Sequence, residues 1–112
     1  MSGRRRLRFR EAALADVETA VRWYAEHASE AVVDGFLAEL DVAYAHITRH
    51  PGTGSPCWGH ALNLPGLRHW SLKRFDHLVS LFERAEHIEI VRVLHGARDI
   101  PATLAEPEAG TL

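Results

Sequence analysis

The side chains in this sequence best suited to chemistry are its eight histidines. His46 and His50 are four apart, a spacing that puts two imidazoles on one helix face and can chelate zinc. Cys57 and His60 form a second short donor pair. Nothing in the sequence brings the two pairs together, and histidines in the last turn of a helix also complement its negative end. Neither a metal nor any other cofactor is expected. Gly52 and Gly54 lack the lysine and following helix of a phosphate-binding loop. Trp23, Trp58 and Trp70 are spread along the chain. Tryptophans are enriched where partners bind, and equally belong to the cores of small domains. The run Arg4, Arg5, Arg6, Arg8, Arg10 suits either contact with nucleic acid or a solvated face that discourages edge pairing, and the second reading is preferred.

The whole chain bounds these possibilities. Its 112 residues suffice for one self-supporting core, and 46% hydrophobic with 25% charged residues is a globular balance. The formal charge of -2 argues against a protein that lives on nucleic acid backbones, although all but one of its 13 basic residues are arginine. No sequence-specific DNA binding is expected. The single cysteine, Cys57, excludes an internal disulfide and fits a reducing compartment, the cytoplasm. The N-terminal arginines are not followed by the apolar run of a signal peptide, and no stretch reads as a membrane span.

Periodicity supplies the elements. Residues 6–10 alternate, with Leu7 and Phe9 on one side, and predict a first strand. Residues 12–27 contain no glycine or proline and repeat Leu14, Val17, Val21 and Tyr24 at spacings of three and four, the stripe of an amphipathic helix. Ser29 is placed to cap a second helix with the stripe Val33, Phe36, Leu37, Leu40, Tyr44, Ile47, ending where His50 meets Pro51. After a loop rich in glycine and proline, three strand-like runs at 67–72, 77–83 and 88–94 read as an antiparallel meander. The middle run is apolar on both faces, as a central strand with cover on both sides should be. The expected fold is α+β: an N-terminal strand and a helical hairpin packed on one face of a mainly antiparallel four-stranded sheet. One domain over 1–104 is expected, with a flexible tail at 105–112.

This order of elements, with Ala13-x-x-Asp16, His50-Pro51-Gly52, Gly66-Leu67-Arg68 and the string Arg92-Val93-Leu94-His95-Gly96-Ala97-Arg98-Asp99, resembles the toxins of the ParE and RelE superfamily. The last string is the specific one, and the resemblance spans roughly residues 7–104.

Two activities are implied by that resemblance. RelE-like members are ribosome-dependent ribonucleases, which hold the developing charge on phosphate with sheet arginines and lysines and often use a late tyrosine. Arg68 and Arg98 match such positions, and Arg92 with His95 would complete a site. His77, however, stands where a strand-opening arginine is expected, and Leu104 where the tyrosine would be. The structural reading of the same residues pairs Arg92 and Arg98 with acids such as Glu89 and Asp99 and lets His95 cap the strand. ParE-like members poison DNA gyrase without a catalytic site, and the resemblance to this plasmid-stabilisation branch is the preferred one. It implies a toxin that is not an enzyme, with gyrase as target. It also implies a cognate DNA-binding antitoxin whose tail folds on the toxin to form a hetero-oligomer. Trp23, Val32, Val33, Trp58 and Trp70 are the expected contacts for that tail.

Overall fold

A computed structural model of the chain describes residues 6–50, 52, 54 and 66–95. Its order is β1 (Arg6–Phe9), α1 (Glu11–His27), α2 (Glu30–Arg49), β2 (Leu67–Ser71), β3 (His77–Glu83) and β4 (His87–His95). Arg98, Trp58, Cys57, His60, Leu104 and the expected tail lie outside the described residues. Among the described residues, no helix is long and apolar enough to cross a membrane.

The two helices begin differently. Ser29 caps α2 as expected, its Oγ accepting the Val32 N–H at 3.2 Å. Arg10 offers α1 no side-chain cap, and Glu11 in the first turn instead places negative charge at the positive helix end. The inward face of α2 is Val33, Phe36, Leu40, Ala43 and Ile47, spaced alternately by three and four. On α1 Ala13 is buried, and Val17, Ala20, Val21 and Tyr24 pack half-buried against the core. Leu14, expected in that stripe, is 56% exposed, because the helix sits one residue further round and presents the small Ala13 to the sheet. Leu37 is likewise on the outside of its helix.

The sheet order is β1-β4-β3-β2. The meander β2-β3-β4 is antiparallel as expected, and β1 adds to β4 in parallel, as an edge strand with Arg6 and Arg8 exposed. Gly66 opens β2 at a φ of +88°, a conformation that glycine alone adopts without strain. A register shift between Ser80 and Leu81 leaves Val91 without an opposite number on β3. That extra residue explains how Ile88, Ile90 and Val93 all reach the helix-facing core although their spacing changes from two to three.

The opposite face is covered too: Leu67, His69, Ser80 and Leu94 are buried. His69 and Ser80 sit directly across β2-β3, with Ser80 Oγ 3.0 Å from His69 Nδ1. Burial drives the His69 imidazole down to about 4. At the β1 edge, Glu89 accepts from Arg10 Nε at 2.6 Å and from Arg84 Nη2 at 2.7 Å. Those bonds, Arg10's first, hold its carboxyl down near 2.

Both shifts weaken the fold in acid. The unfolded chain takes up the His69 proton from pH about 6.5 and the fold does so only near 4, so stability falls across that window as pH drops. Glu89 adds a loss between about 4.5 and about 2. Urea melts across pH should show both limbs. Glu89→Gln should remove the lower one, worth about 1–2 kcal/mol after allowance for solvent screening, while His69→Gln should flatten the upper one.

Candidate functional site

A cleft of about 380 Å³ lies where α1 crosses the C-terminal end of β4. Its walls are Asp16, Thr19, Ala20, Trp23 and Tyr24 from α1 and His77, Val93 and His95 from the sheet. This volume lies toward the small end of the roughly 300–1,000 Å³ typical of ligand pockets.

Asp16 fixes the cleft's inner end. β1 pairs with β4 only as far as Ile90, and among the described residues no strand lies beside that edge of β4 further on. The Asp16 carboxylate takes the strand's place, with Oδ2 accepting the Val93 N–H at 2.9 Å. It also accepts two bonds from the Arg92 guanidinium, Nε at 2.7 Å and Nη2 at 2.8 Å. The expected pairing of Arg92 with Glu89 is therefore corrected. Glu89 is held by Arg10 and Arg84, while Arg92 meets an acid that helix α1 delivers 76 residues away in sequence.

His95 ends β4 opposite His77, their ring centres 5.6 Å apart. Its Nε2 lies 3.4 Å from Asp76 Oδ2, so the strand end is tied to the β2-β3 turn whenever the ring is protonated. Behind them is an aromatic floor. His77 packs on Phe36 at 5.0 Å, and Tyr24 meets Phe36 at 5.4 Å and Phe75 at 5.6 Å. Burial, with a smaller effect of Asp76, raises the Tyr24 phenol above its ordinary value, so it stays a neutral hydroxyl. Trp23 closes the outer wall, stacked on His27 at 4.6 Å and 53% exposed.

Of the residues named for a nuclease, Arg98 lies outside the described residues, and Arg68 stands far from His95. Arg68 is on β2, opposite Leu81, while His95 is opposite His77 on the far side of β3. Two strand spacings and four residue rises put their backbones about 16 Å apart. Arg68 donates instead to the Gly54 carbonyl at 2.8 Å. The expected antitoxin contacts also divide. Trp23 is exposed, Val32 is half-buried, and Trp70 is half-buried against the core with His46 stacked on it at 4.2 Å. Val33 is buried at 9% exposure, at the start of the inward stripe of α2. Asp76 was not singled out in the sequence, while Tyr24 was named only in the helix stripe and His77 only as standing in place of an arginine. Asp16 was named only as the end of the Ala13-x-x-Asp16 pattern, an acid flanked in the helix by Ala13 and Val17, which pack on the core.

Residues 7–100 match the family described as the ParE toxin of the type II toxin-antitoxin system, parDE. The fold is similar to that of a solved chain from the chromosomal ParDE TA system of P. aeruginosa, with a TM-score of 0.71 at 18% identity, covering 85% of this chain and 99% of that one. No curated protein matches the chain.

The Asp16 contacts make a graded prediction. Asp16→Ala strands both the Arg92 guanidinium and the Val93 N–H and should cost about 2–3 kcal/mol in urea denaturation. Asp16→Asn keeps an oxygen for the N–H and should cost about half as much.

Proposed function

This chain belongs to the ParE toxin family, and from that premise we propose that it acts by binding, with DNA gyrase as its target and a cognate antitoxin as its inhibitor. The observation that carries the reading is the use made of the candidate cations. Arg92 is consumed in a two-bond pair with Asp16, and Arg68 serves a loop carbonyl across the sheet. A site for cleaving RNA must gather cations around one phosphate beside a proton acceptor. Arg68, Arg92 and His95 do not make that gathering. What they help to build is a rigid scaffold with a cleft beside an exposed tryptophan, an arrangement suited to gripping a protein segment.

Trp23 is the first candidate for contact with the antitoxin tail, since it combines exposure with a place on the cleft wall. Its face of α1 would receive an apolar segment that folds as it binds. Val32 and Trp70 are more deeply set and would contribute at the margins.

The chain expressed without antitoxin should make purified gyrase accumulate cleaved DNA, while mRNA on ribosomes stays intact. Cleaved mRNA with unaffected gyrase would overturn the proposal in favour of a RelE-type ribonuclease. Trp23→Ala should weaken antitoxin binding by about tenfold or more in calorimetry. Its free energy of unfolding in urea should stay within about 0.5 kcal/mol of the parent, since the side chain is largely outside the core.

A further inference from the structure

The end of α2 carries a feature that toxin action does not use. His46 lies in the last turn and His50 is the C-cap, whose N–H donates to the His46 carbonyl at 2.8 Å. That bond keeps the two residues one turn apart. Their ring centres are 5.1 Å apart with the planes inclined at 44°. Two imidazoles bound to one tetrahedral ion through nitrogen at about 2.0–2.1 Å would place their ring centres about 5 Å apart. The observed separation meets that requirement with little rearrangement.

Two neighbouring facts favour the site. The His46 ring is stacked on Trp70 at 4.2 Å and 22°, which fixes its orientation before any ion arrives. The helix end also presents its carbonyls here, and their partial negative charge favours a cation.

We propose that His46 and His50 chelate a divalent transition-metal ion of the borderline class, Zn²⁺ or Ni²⁺, at the C-terminal end of α2. Imidazole ligands suit these ions and not Mg²⁺ or Ca²⁺, which take oxygen. Among the described residues no group of three histidine, cysteine or acidic side chains is placed to hold a metal. Among the described residues, His46 and His50 are the two protein ligands of the proposed site. The site is independent of the proposed toxin action and stands or falls separately.

The test is titration of the full chain with NiCl₂ and ZnCl₂ by calorimetry, with MgCl₂ as control and tryptophan emission followed in parallel. Ni²⁺ should bind and quench emission, and Mg²⁺ should do neither. His50→Ala, at an exposed cap, and His46→Gln should each lower the Ni²⁺ affinity by roughly an order of magnitude or more. Trp70→Phe should keep the affinity and lose most of the quench. Absence of Ni²⁺ binding, binding unchanged in both histidine variants, or a quench that survives Trp70→Phe would overturn the proposal.

Discussion

The Asp16 carboxylate is the constraint on which the rest of this structure depends. A strand whose neighbour stops short leaves N–H groups along an open edge, and an unpaired group there must find water or a substitute. Here β1 ends at Phe9 and the substitute comes from a helix: one acid satisfies Val93 and clamps Arg92 in the same stroke. The pair is mostly screened from solvent, with side-chain exposures of 14% for Asp16 and 21% for Arg92. In that setting a two-bond guanidinium-carboxylate contact has geometric force that a surface pair lacks. Its consequence is positional. It sets where α1 crosses β4, and so fixes the width of the cleft between Tyr24 and His95.

The same contact bears on activity. An arginine meant to steady phosphate should face the place where the phosphate would sit, and Arg92 is turned to an internal acid. The cleft next to it has an aromatic floor, a neutral phenol and a tryptophan on its rim. On the proposed reading these features would recognise a protein segment, and the family is that of the ParE toxin of type II toxin-antitoxin systems. On the far face of the sheet His69 and Ser80 form a buried pair, and Glu89 on β4 is held between Arg10 and Arg84.

Much of the architecture was legible in the residues, because two periods carry it. The stripe of α2, the Ser29 cap and the meander follow from spacing and turn chemistry alone, and the string from Arg92 to Asp99 carried the family resemblance. Leu14 misled because a bulky residue next to Ala13 attracts the eye, while packing against a sheet selected the smaller one. The parallel pairing of β1 with β4 had no local signal, since strand order depends on contacts about 80 residues apart. The partner of Arg92 was hidden for the same reason. Glu89 is near in sequence, but alternation and the bulge at Val91 decide direction, and Asp16 arrives only when the helix docks. The pair His46 and His50 was legible as a spacing, whereas the Trp70 stack beside it was not.

Asp16 and Arg92 act as one structural unit joining α1 to β4. A double-mutant cycle by urea denaturation, with Asp16→Ala, Arg92→Ala and the double variant, measures that coupling directly. The account predicts a coupling of about 1–3 kcal/mol, so that the second substitution costs little once the first is made. Additive costs, with coupling near zero, would contradict it.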